Sequence, residues 1–158
     1  MKYTHILFPW LLLIYLVMMT GCDEHGDPQA EINLNDQQKA AVSMRGTWGQ
    51  PSQVTLPEGT TEGVLDSLLL EFRISDAYAP STFNAAGAGY FFSADNGLWN
   101  WVGESNTNIA LSNVTPITQI EVIKEASTIR ITFTYEGTEG ARTSGLGAYG
   151  VTLKKTGP

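Results

Sequence analysis

The sequence predicts an all-β fold, an antiparallel up-and-down barrel of about eight strands, with a β-sandwich as the alternative. Three observations lead there. Apolar and polar residues alternate with period two in several runs, clusters of turn-forming residues separate those runs, and nothing beyond the amino-terminal region sustains the 3.6-residue apolar period of a helix. The turn spacing then favours a barrel or sandwich of short strands.

In chain order, the first segment stands outside that fold. Lys2 precedes the apolar run ILFPWLLLIYLVMM at 6–19, which is short for a membrane span but suits an export signal. Two small residues, Thr20 and Gly21, and the only cysteine, Cys22, follow, so a signal peptide is predicted over 1–21. The order Met19-Thr20-Gly21-Cys22 resembles the lipobox of bacterial lipoproteins, departing from it at Met19, where Leu is commonest. The resemblance implies cleavage before Cys22, a diacylglycerol thioether on its sulfur and usually an acylated amino group. Two or three acyl chains hold a protein on a membrane where one holds it only marginally. A lipid-anchored protein of the cell envelope is therefore expected, with the outer membrane or cell surface favoured. The inner membrane is the alternative: an acidic cluster after the lipidated cysteine resembles a surface-export signal, whereas Asp23 directly after it resembles a retention signal.

Residues 22–40 read as an acidic tether, because DEHGDPQAEINLND holds few apolar residues. Within it, Asn35 with Gln38 three residues on predicts a capped helix of a turn or two. The folded domain is assigned to 41–158. In VLDSLLLEFRIS, Leu68, Leu70, Phe72 and Ile74 share one face; in STIRITFTYEG, Ile129, Ile131, Phe133 and Tyr135 do. YGVTLKK aligns Tyr149, Val151 and Leu153, and ITQIEVI aligns Ile120 and Val122 against Ile117 and Ile123. ADNGLWNW predicts a hairpin turning at Asn96-Gly97, with Phe92 or Phe91 opposite Trp101 depending on turn length.

RGTWGQ holds Gly46, Thr47 and Trp48 just after the short helix. This Gly-x-Trp resembles the start of the lipocalin and calycin group of up-and-down barrels. The resemblance implies a lipocalin-like β-domain in which Gly46 and Trp48 are structural, the Trp plugging one end. It also implies an Arg near the last strand covering that Trp; this chain carries Lys154 and Lys155 there, with Arg142 as a substitute. With ARTSGLGAYGVTLKK, the arrangement is similar to that of small lipocalin-like lipoproteins of unknown function in diderm bacteria.

Composition narrows the chemistry. Nine Lys+Arg against 16 Asp+Glu give a net charge of −7, and scattered basic residues argue against nucleic acid. Both histidines, His5 and His25, precede the domain, so His and Cys nucleophile systems and Cys/His metal sites are excluded from it. No enzyme activity, metal or cofactor is expected. Glu71, Glu104 and Glu121 lie in or near strands, but nothing in the sequence pairs them as glycoside hydrolysis would need. Small residues at 85–89 would allow close approach of a backbone or ligand.

The aromatic group around the Asn96-Gly97 turn reads in two ways. Core packing in a small barrel is the simpler account. The functional one makes Trp99, Trp101, Tyr90 and Phe92 a pocket or platform for a small apolar or glycan-like ligand. The expected function is that of a non-catalytic, membrane-anchored binding module. Its alternative is a structural or interaction lipoprotein, with a filled barrel that contacts another envelope protein.

Overall fold

A computed structural model describes residues 33–88, 90–137 and 145–158, the side chain of Asp95 excepted. The signal segment, Cys22 and Arg142 lie outside the described residues. The chain divides into units Met1–Asn33 and Leu34–Pro158, and the second holds nearly everything described.

Helix α1 (Asp36–Met44) comes first. The Asn35 side chain accepts from the Gln38 backbone N–H at 2.8 Å, and the Gln38 side chain accepts from the Asn35 N–H at 3.0 Å, the reciprocal box expected from the sequence. At nine residues the helix exceeds the expected turn or two and takes in 36–40, residues that composition alone assigns to the tether. Its buried Ala41 and Met44 explain the extension, since packing of an apolar face stabilises a short helix more than propensity does.

Eight strands follow: β1 (Gly46–Thr55), β2 (Leu69–Ile74), β3 (Pro80–Ala86), β4 (Phe92–Trp101), β5 (Asn108–Pro116), β6 (Gln119–Lys124), β7 (Thr128–Tyr135) and β8 (Gly147–Gly157). Each is antiparallel to the next and β8 returns to β1, closing the barrel in simple chain order. The sandwich alternative is thereby set aside. Alternation sorts the side chains as expected: Leu70 and Phe72, Ile129, Ile131, Phe133 and Tyr135, and Tyr149, Val151 and Leu153 are buried. Ile120 and Val122 are buried too, while Ile123 on the opposite face of β6 is 52% exposed; Ile117, expected with Ile123, is instead buried, because it precedes β6 and does not follow its alternation. The interior is apolar and the exterior mainly polar, the reverse of the sidedness of a membrane-spanning barrel.

The Gly-x-Trp segment closes the helix end. Trp48 is fully buried and donates Nε1–H to the Met44 carbonyl at 2.8 Å. Lys155 Nζ lies 5.7 Å from the Trp48 ring centroid, within cation–π range. The expected covering cation is therefore a lysine of the last strand. Gly46 is required because a Cβ there would lie 2.7 Å from the Gly157 carbonyl oxygen.

Two loops close the opposite end. Leu65 and Leu68, from the segment between β1 and β2, are buried there with Ala88 and Phe91 from the segment before β4. Within the small-residue stretch, Gly87 accommodates a backbone: a Cβ would collide with the Ser67 carbonyl.

The hairpin expected at Asn96-Gly97 does not form. β4 runs through that dipeptide, with Phe92 paired to Pro116 and Trp101 to Ile109, so neither Phe92 nor Phe91 opposes Trp101. The register shifts between Ala94 and Leu98, which marks a bulge. Asn96 supplies the positive φ of 52°. Gly97 supplies room, since a Cβ would stand 2.6 Å from the Phe83 carbonyl oxygen. The same residue types that favour a tight turn thus serve a kink, and the chain reverses later, at 102–107. There the Ser105 hydroxyl accepts from the backbone N–H groups of Thr107 and Asn108.

These separate roles are testable. Gly97→Ala should cost about 1–3 kcal/mol in urea unfolding, as overpacking does. Asn96→Gly should stay within about 0.5 kcal/mol, because glycine accepts the same φ. A hairpin turn would penalise Gly97→Ala through φ and leave the Phe83 contact irrelevant.

Candidate functional site

The four aromatic candidates divide between core and rim. Trp99 and Trp101 are 2% and 7% exposed, Phe92 is 1% exposed, and Tyr90 is 60% exposed. The two indoles meet edge to face at 5.2 Å, placed side by side by their spacing of two along β4. Each indole N–H is satisfied by a backbone carbonyl: Trp99 donates to Arg73 at 2.7 Å and Trp101 to Gln37 at 3.2 Å.

Ring contacts run without a break from Trp101 through Trp99, Phe72, Phe83, Phe92 and Phe133 to Phe91 and Tyr149. Successive centroids lie 4.7–6.2 Å apart, the range in which aromatic pairs attract. Side chains facing a water-filled or ligand-sized lumen would keep accessible surface. These keep almost none, and the interior is packed.

The accessible features are on the outside. A groove of about 550 Å³ lies between β6 and β7 and reaches the adjoining ends of β5 and β8. Asn108, Gln119, Glu121, Thr132, Thr134 and Glu136 border it beside apolar residues such as Ile117, Ile120, Phe133 and Tyr135, and among the described residues no Lys or Arg does. A second depression, bordered by Ser93, Ala94, Asn96, Asn113 and Thr115, sits over the β4 bulge.

Tyr90 stands at the rim opposite helix α1. Its hydroxyl is 2.6 Å from that of Tyr135, a residue lining the groove, and the two rings meet at 5.2 Å. The hydrogen bond with Tyr135, followed by desolvation, holds the Tyr90 phenol above its ordinary pKa.

The three carboxylates singled out from the sequence, Glu71, Glu104 and Glu121, are not brought together. Glu71 on β2 accepts from Asn84 at 3.1 Å and from Arg73 at 2.7 Å, and these bonds, Asn84 first, lower its pKa. Glu121 lies four strands away on β6, where it accepts from Thr132 at 3.3 Å. Glu104 belongs to the 102–107 reversal. Among the described residues, no group of three or more His, Cys, Asp or Glu is placed to hold a metal ion.

The groove was not legible in the sequence. Its residues mix polar outward positions with core positions such as Ile120 and Phe133, and no motif joins them. Comparison of the chain with protein-family models, curated proteins and solved structures finds no match.

Two outcomes follow for these side chains. Trp99→Ala and Trp101→Ala should each cost about 3–5 kcal/mol in equilibrium unfolding, the penalty of emptying a core aromatic site, where an exposed platform would lose under about 0.5. The raised Tyr90 pKa means that the folded state holds this proton more tightly than the unfolded chain. Its stabilising contribution is thus complete below the ordinary tyrosine pKa of 10.0 and is lost as pH rises through the higher folded value. Absorbance titration should show a late-ionising component that moves back toward the ordinary value in Tyr135→Phe.

Proposed function

We propose that this chain is a non-catalytic envelope lipoprotein, moored through lipid on Cys22, whose solid barrel presents its outer wall to a protein partner. The observation that carries this reading is the continuous packing of aromatic rings through the barrel. A lumenal apolar ligand would need the space those rings occupy, which moves the working surface from the interior to the wall. The lipobox-like Met19-Thr20-Gly21-Cys22 and the acidic residues after it support mooring and a hydrated tether. Placement at the outer membrane or cell surface belongs to the same proposal.

Two measurements test it. Radiolabelled palmitate should mark the wild-type chain and leave Cys22→Ser unmarked; equal labelling would remove the anchor. Photo-crosslinking from wall positions in intact cells should capture a discrete envelope protein. If the full chain instead saturably quenches its tryptophan fluorescence with a small apolar ligand, and no protein is captured, the reading as a contact module fails.

A further inference from the structure

We infer that the groove between β6 and β7 receives an extended, positively charged peptide segment of the partner, added as a strand where the barrel's own ladder stops. This inference rests on the proposed reading of the wall as a contact surface and names the partner's chemistry.

The ladder between the two strands runs from Lys124↔Ile129 to Glu121↔Thr132 and ends there. Both strands continue beyond it, β6 to Gln119 and β7 to Tyr135. Their outer neighbours stay paired over this stretch: Gln119 with Ala110 on β5, and Thr134 with Ala148 on β8. So β6 and β7 are each held in strand conformation but part from one another.

The direction of the backbone groups follows from alternation along a strand. Val122 donates to Thr107 and Leu111 donates to the Thr118 carbonyl, so even-numbered residues of this segment turn their polar backbone groups toward β5. Gln119 and Glu121 therefore turn theirs toward β7. Thr132 answers Glu121, and Thr134, two residues on, turns its N–H and C=O toward Gln119 across the groove. Parted strand edges of this kind are what strand addition uses: main-chain hydrogen bonds supply affinity, and flanking side chains supply selectivity.

The flanking side chains select for charge. Glu121 and Glu136 border the groove together with hydroxyl and amide groups, no cation borders it among the described residues, and the whole chain carries −7. A segment bearing Lys or Arg at alternate positions is matched in sign and steered by that field, whereas an acidic one is repelled. Ile117, Ile120, Phe133 and Tyr135 also line it, so apolar contact adds to charge and backbone pairing.

The test uses the full-length chain in detergent micelles and a fluorescent peptide alternating Lys and Thr, followed by anisotropy. Saturable binding that weakens with salt is expected. Methylation of the peptide's backbone nitrogens along one edge, which keeps every side chain, should weaken it by about tenfold or more, as should Glu121→Lys combined with Glu136→Lys. Circular dichroism and the unfolding midpoint of that variant check that its barrel is intact. No binding, equal binding of the methylated peptide, or equal binding of a Glu-Thr peptide overturns the inference. So does displacement of the peptide by neutral oligosaccharide alone. A partner captured in cells equally well by the double variant would overturn the groove while leaving the contact reading standing.

Discussion

The constraint on which the rest of this structure depends is the filling of the lumen by aromatic rings. An eight-stranded barrel encloses a space just wide enough for side chains to occupy. Here Trp101, Trp99, Phe72, Phe83, Phe92 and Phe133 occupy it as a chain of touching rings, and the buried residues among those described are all apolar or aromatic. Contacts of this kind contribute about 0.5–1.5 kcal/mol per pair beyond area burial. They also set which face of every strand points inward, because a one-residue slip would turn a ring into water. The centre is thus committed to packing.

Closure of the ends follows from the same packing. At one end the helix lies across the barrel, and Gln37 Nε2 bonds the carbonyls of Gly103 and Ser105 while Gln38 Nε2 bonds that of Ala77. These side chains tie α1 to two separate strand connections, so the plug is fixed by hydrogen bonds as well as by Trp48. At the other end Tyr149 stacks on Phe133 at 5.2 Å and its hydroxyl reaches Gly145 and Thr60, drawing the loops over the last ring. The two ends are sealed by different means: a helix bound through its glutamines, and loops bound through a tyrosine.

How much of this was legible in the sequence depends on the range of the interaction. The period-two patterns of β2, β7 and β8 and the Asn35–Gln38 cap are local, and they could be read directly. The Gly-x-Trp plug was legible by resemblance, although the cation above Trp48 is Lys155 rather than an arginine. Asn96-Gly97 misled because its residue types answer two needs, a tight turn or a bulge. The choice between them lies with Pro116 and Phe83, which are distant in sequence. The aromatic group raised the same ambiguity of core against pocket, and only the three-dimensional ring contacts decide it. The wall groove was invisible because it arises from where two strands stop pairing, a property of register that no single residue announces.

That stopping point gains meaning beside the barrel's other irregularities. Where β1 and β8 slip register, Arg130 lies over Gly150 and donates to the Gln53 carbonyl at 3.4 Å and to the Thr55 hydroxyl at 3.3 Å, while Thr152 donates to the Gln53 side chain at 3.1 Å. Where β4 bulges, Asn113 reaches the Asn96 carbonyl at 3.4 Å. Side chains thus span both of those breaks and satisfy backbone groups that a broken ladder leaves behind. Between β6 and β7 the last such bridge is Thr132 to Glu121, at the final paired position. Among the described residues none crosses from Gln119 to Thr134. Water satisfies such groups at little cost in the free protein, and a strand can replace that water on binding. A barrel whose side chains span the β1–β8 and β4–β5 breaks, and whose β6–β7 gap stays open on a carboxylate-lined face, has an edge there that a partner's backbone would fit.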